Sequence, residues 1–176
     1  INNEFGHLGL PVMFLPRTSL QRLYIDLAGL ENTIYLLADS KDYVVNYLKS
    51  LSASHSKMCE VVAKSPIEWI NYGDNIHSKL LPPDLFEEYV LPEYQMRGDI
   101  LHKENKFVFS HWDGDVKELL PYAKTCFLDG IEAITPIPQG DVTLQDAKAA
   151  LGDEIFLVDG IASILFNETY PIEELE

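Results

Sequence analysis

Positive charge is scarce in this chain. Only three arginines occur, Arg17, Arg22 and Arg97, and Lys plus Arg total 13 against 28 Asp plus Glu, for a net charge of -15. A nucleic-acid backbone needs clustered cations, so nucleic acid is excluded as an expected partner, and an anionic membrane surface with it. Long apolar runs are missing too. None approaches the ~18 residues of a membrane span, and Ile1-Asn-Asn-Glu-Phe5 shows no basic region leading into an apolar one. Cysteine is limited to Cys59 and Cys126, with no C-x-x-C, which fits a reducing cytoplasm. No G-x-G-x-x-G, P-loop or G-x-S-x-G is present, so dinucleotide, nucleotide and serine-hydrolase fingerprints are absent. Asn-Gly hairpin signals are lacking as well. What remains is 47% hydrophobic and 11% aromatic, the composition of a globular chain, read as a single domain over 1–176.

Short apolar runs alternate with helical pattern along the chain. Leu10–Pro16 reads as a buried strand fenced by prolines. Leu20, Leu23, Tyr24 and Leu27 then share a helix face that Gly29 closes. A longer helix opens at Asp39 or Ser40, carries Val44, Leu48, Leu51, Met58 and Val62 on one stripe, and stops before Ser65-Pro66. His55 and Cys59 stand four apart on it, but His55 falls among Ser52, Ser54 and Ser56, which reads as a polar face. Ile67–Gly73 is the next strand. Leu81-Pro-Pro83 leads into a helix with Leu85, Phe86, Tyr89 and Val90 inside, which Pro92 kinks or restarts. Phe107–Ser110 is a strand, and Val116, Leu119, Leu120 and Ala123 mark a short helix. Gly130–Thr135 is a strand. Thr143-Leu-Gln-Asp146 is a capping box before a helix that Gly152 ends. Glu154–Asp159 is the last strand. Strands that alternate with helices argue for an α/β fold with a parallel sheet.

Several strands end in polar side chains, and parallel strands deliver such tips to one face, where ligands bind. His111 and Asp113 alternate around Trp112 and point to one side of an extended chain. With Asp74 they form a candidate catalytic set able to move a proton or stabilise a cation. Tyr72, Asn75, Trp112, Thr135, Asp141 and Asp159 are candidate substrate contacts. Asp113-Gly114 and Asp159-Gly160 also have a plain turn reading. Asp141 is equally suited to support a helix start. A metal, if held, would use His111 and Asp113.

The run Leu81-Pro-Pro-Asp-Leu-Phe-Glu-Glu-Tyr-Val-Leu-Pro92, then His111-x-x-Gly114, Gly130-Ile-Glu-Ala-Ile134 and Gly152-Asp153 before a strand ending in Gly160-Ile161, resembles the uroporphyrinogen decarboxylase superfamily, which includes corrinoid- and thiol-directed methyltransferases. The resemblance implies a parallel (β/α)8 TIM-type barrel. This chain would supply about five of its strand–helix units, from the middle and later part. It implies a decarboxylase-like carboxy-lyase that needs no cofactor and acts on a small molecule such as a tetrapyrrole. As the runner-up it implies a corrinoid- or cofactor-linked methyltransferase acting on a methylated compound, with an altered metal site for zinc or another divalent metal. Methyltransferase members place His-x-Cys at this strand end and another cysteine late in the chain. Here Asp113 replaces the first, and the second is missing. The aspartate and arginines of the decarboxylase members belong to the part of the barrel this sequence does not contain. A truncated barrel acting only as a binding module is the non-enzymatic reading. Five parallel strands leave two unpaired edges, so further chain or a second copy is expected to cover them.

Overall fold

Among the described residues, five short parallel strands carry the fold, arranged in sequence order. The computed structural model describes residues 6–175. Strands β1 (Val12–Phe14), β2 (Trp69–Asn71), β3 (Phe107–His111), β4 (Gly130–Glu132) and β5 (Phe156–Val158) pair each with the next. A doubly wound sheet reverses its strand order partway, whereas a barrel steps always in one direction. Helices fill the crossovers: α1 (Ser19–Arg22, continued by a π-helical turn at Leu23–Leu27), α2 (Leu30–Asp39), α3 (Lys41–Ala63), α4 (Leu91–His102) and α5 (Leu144–Leu151). The segment Pro83–Leu85 and a π-helical turn, Phe86–Val90, run without a break into α4, and Pro92, which has no N–H to give the preceding turn, stands just past the point where the π-helical turn passes into the α-helix.

The sheet curls. Trp69 on β2 and Phe156 on β5 have ring centroids 5.4 Å apart, although two strands lie between them. In a flat sheet three strand spacings would separate them by ~14 Å. Phe107 stacks on Trp69 at 5.2 Å, and Phe109 completes the inner cluster. Gly130 belongs to this packing: a Cβ there would collide with the Phe156 ring. The result is a curved parallel α/β sheet consistent with part of a TIM-like fold.

The opposite face of the sheet is the true core. Ile70, Val108 and Ile131 are fully buried there against α3, α4 and their neighbours. A polar network is sealed within the same layer. Glu93 Oε1 accepts from Arg97 Nη2 at 2.7 Å and meets His55 Nδ1 at 2.7 Å, while Glu93 Oε2 takes the Ser19 N–H at 2.9 Å. Arg97 also donates to the carbonyls of Pro16 and Arg17. Three helices and the end of β1 are thereby tied to one guanidinium–carboxylate pair. Burial by itself would raise the Glu93 carboxyl, but His55, Arg97 and Ser19 outweigh it and hold Glu93 down to about 2.

Three local expectations need correction or completion. His55 is not on a polar face; it is buried against Glu93 because the serines around it flank the inward stripe. Leu30–Asp39, which the sequence pattern leaves unassigned, is a helix of its own: Gly29, at φ 82, closes the preceding helix as expected and also leads into this one. The Val116–Ala123 pattern yields turns and a 3-10 helix, Leu120–Thr125, with Pro121 in its first turn. The Thr143–Asp146 capping box is present in both directions.

Candidate functional site

Three adjacent strands bring Asn71, His111 and Glu132 together on the curved inner face, at the strands' C-terminal ends. Glu132 Oε1 accepts from Asn71 Nδ2 at 2.8 Å and lies 3.1 Å from His111 Nδ1. Asn71 is on β2 and Glu132 on β4, so the same curl that joins the aromatic rings lets this bond span β3. The Asn71 amide is fixed at its other end, where Oδ1 accepts the N–H of Gly73 at 2.7 Å. Gly73 sits at φ 65, a left-handed turn that a side chain would strain, and a Cβ there would also meet the Leu15 carbonyl. With Glu132 ionised, His111 donates through Nδ1, which leaves Nε2 as the acceptor. The side chains of His111 and Glu132 are 36% and 23% exposed, enough for a substrate to reach them. Ala133 follows Glu132 at φ 65, and Asp159 follows β5 at φ 78, so both strands turn out of the sheet just past the site.

The other sequence candidates have different places. Asp113 is bound by Thr135 Oγ1 at 3.1 Å, a tie between the loops after β3 and β4. Asp113 follows the end of β3 and shares no hydrogen bond with His111. Asp141 accepts the N–H groups of Val116 and Lys117 and so pins the loop after β3. Asp159 Oδ1 takes the Gly160 N–H at 2.9 Å, which is its turn role. The backbone of Asn75 is clamped from both sides by the Gln21 amide.

Tyr72, Asp74 and Trp112 are corrections to a shared site, since all three are buried away from the inner face. Tyr72 alternates with Asn71 and so points to the helix side, where Tyr94 packs edge-on and the Arg97 guanidinium lies 5.4 Å from its ring. Trp112 is fully buried against Phe86. Asp74 Oδ1 accepts from the N–H of Thr18 at 2.7 Å, and Oδ2 has no partner. Burial pushes the Asp74 carboxyl up to about 6, partly opposed by Arg97. Asn71 and Glu132 are the residues the sequence reading missed. Each is a polar side chain inside an apolar strand, and that was the available signal.

A thiolate zinc centre does not fit these residues. The strand-end position is Asp113, while Cys59 on α3 and Cys126 ahead of β4 are both fully buried in the core. Burial also raises the Cys126 thiol strongly, the opposite of what a metal ligand needs. Among the described residues, no group of three or more His, Cys, Asp or Glu side chains is placed to hold a metal ion. No helix among them is long and apolar enough to cross a membrane.

Comparison with known proteins is sparse. No family model matches the sequence. No curated protein matches it either. Among solved structures, a methyltransferase from Methanosarcina mazei superposes with a TM-score of 0.71 over 97% of this chain, at 16% sequence identity. The likeness is one of fold. The chain spans about half of that structure, 49% of its length.

Proposed function

We propose that this chain carries the proton-accepting side of a small-molecule methyltransferase of the α/β-barrel type. The observation that carries the reading is the Asn71–Glu132–His111 relay at the strand ends. A base held by a carboxylate, itself held by a fixed amide, is the arrangement that keeps an imidazole in one tautomer and stabilises its protonated form. The acceptor is a thiol or amine. As its lone pair bonds to the methyl carbon, the bond from carbon to the donor breaks and its electron pair leaves with the donor. His111 Nε2 takes the acceptor's proton, and Glu132 steadies the imidazolium. The methyltransferase fold likeness supports this reading over decarboxylation.

The test uses methylcobalamin as donor and 2-mercaptoethanol as acceptor, followed by the change in cobalamin absorbance. Wild-type transfer is expected to fall by roughly 10²- to 10⁴-fold in His111→Ala, the range for losing a positioned base. Absence of transfer by the wild-type chain, or equal rates in His111→Ala, would overturn the reading and leave the binding-module alternative.

A further inference from the structure

We propose that Thr135 is a positioning residue for the relay: its hydroxyl, held between Asp113 and the carbonyl of Ala133, fixes the tips of β3 and β4 at the spacing that keeps Glu132 on His111. The inference rests on the relay reading. It gives Asp113 and Thr135 a part in that relay without contact to substrate.

His111 and Glu132 are the last paired residues of β3 and β4. One more ladder bond follows, from the N–H of Trp112 to the carbonyl of Glu132 at 2.9 Å. Beyond it the two chains part. The N–H of Ala133 turns to the Val158 carbonyl of β5 at 3.1 Å, and Ala133 stands at φ 65. The relay therefore hangs on the final rung of the ladder, where a strand pair frays most readily.

The next hydrogen bond to join these two chains is that of Thr135. Its Oγ1 lies 3.1 Å from Asp113 Oδ1 and 3.2 Å from the Ala133 carbonyl oxygen. A hydroxyl has one proton, so the two acceptors share it in a three-centre bond. The bond to Ala133 is local, whereas the bond to Asp113 crosses 22 residues. Asp113 stands just past His111 in the chain, and Ala133 directly follows Glu132. One hydroxyl thus ties the backbone beyond both members of the pair.

The conformation of Ala133 points the same way. A side chain makes the left-handed region costly, and a residue other than glycine stays there when its surroundings over-determine it. Both polar groups of the Ala133 backbone are held, the N–H by Val158 and the carbonyl by Thr135. The loops stay close further out, where a Cβ on Gly140 would collide with the Thr135 carbonyl and press on that of Gly114.

Burial decides between positioning and substrate contact. Thr135 is 7% exposed, and its one proton is already committed. A hydroxyl in that state holds its neighbours rather than a ligand. Without it the tip of β4 gains slack, and Glu132 loses its fixed distance to His111 Nδ1. The imidazole proton is then no longer confined to Nδ1, because the hydrogen bond at one ring nitrogen sets the tautomer.

Long-range ¹H–¹⁵N NMR of the whole chain, above the ordinary titration range of imidazole, reads the tautomer directly. The His111 signals are assigned by their loss in His111→Ala. Wild type is expected to show the Nδ1–H form alone. Thr135→Val, close to threonine in shape, is expected to show a mixture of both forms, and Thr135→Ser to restore the single form. Asp113→Asn keeps an acceptor oxygen for Thr135 and should keep the single form, whereas Asp113→Ala should lose it. Asp113 is only half-buried, so Asp113→Ala carries the test if Thr135→Val does not fold. In transfer from methylcobalamin to 2-mercaptoethanol, Thr135→Val should lower kcat about 10- to 100-fold at unchanged KM, the loss expected of a misplaced base. A single tautomer that persists in Thr135→Val or Asp113→Ala would overturn the proposal. So would a raised KM at unchanged kcat in Thr135→Val, which would make Thr135 a substrate contact. Absence of transfer by wild type, with the tautomers as expected, refutes the reaction and leaves the brace supported. Mixed tautomers in wild type refute the relay and the brace with it.

Discussion

Replacing Asp74 by Asn should stabilise the fold at neutral pH and slightly destabilise it at acid pH. Asp74 is sealed between the tip of β2 and the start of α1, with one carboxylate oxygen on the Thr18 N–H and the other without a partner. Its folded-state value is raised from 3.8 to about 6, mainly by burial. Below pH 3.8 the group is neutral in both states and costs nothing. As pH rises from there to about 6, the unfolded chain gives up the proton first, so stability falls over that window and then levels off. A shift of about two units is worth roughly 3 kcal/mol at 1.36 kcal/mol per unit. Asn cannot ionise, and its oxygen still accepts from Thr18. Its amide, however, brings two N–H groups that need acceptors, which takes back about 1 to 2 kcal/mol. Asp74→Asn is therefore expected to be about 1–2 kcal/mol more stable than wild type at pH 7.5 and slightly less stable than it at pH 4, a change of about 2–3 kcal/mol between the two. Urea unfolding at the two pH values measures this directly, because other titrating groups cancel in the difference. A stability difference that does not change between pH 4 and 7.5 would refute the reasoning.

Other substitutions probe the packing around the site. Glu93→Gln leaves the buried Arg97 guanidinium without its counter-charge and should cost about 3–5 kcal/mol in urea unfolding. The Glu93 contribution has the opposite pH sense to that of Asp74: it is present above pH 4.5 and is lost as pH falls toward 2. Gly130→Ala drives a methyl into the Phe156 ring and should cost about 1–3 kcal/mol, read as a lower melting temperature, with Phe156→Leu in the same chain recovering part of the loss.

The alternation of strands and helices was legible because punctuation was strong: Pro11 and Pro16 around β1, Pro66 before β2, Gly152 before β5. The parallel sheet followed from it. Helix α2 was not legible, since Gly29 looks the same whether it ends one helix or begins the next. His55 was misread because three serines outnumbered it locally, and only the distant Glu93, 38 residues away, makes that position an interior one. At the site, His111 was found through its strand-end position. Its partners were not, because Asn71 and Glu132 come from strands on either side, and the register that aligns them depends on how the sheet curls. Tyr72 and Asp74 were close in sequence to the right tip but on the wrong parity or too deep. A one-residue step reverses the face, and sequence position alone does not report depth.

The relay between His111 and Glu132 is the centre of the account, and a double-mutant cycle on the methylcobalamin-to-thiol transfer rate tests it most directly. If Glu132 acts only through His111, then Glu132→Gln slows wild type, but the double variant with His111→Ala is no slower than His111→Ala alone. Losses that add in the double variant would contradict the relay and assign Glu132 a role of its own.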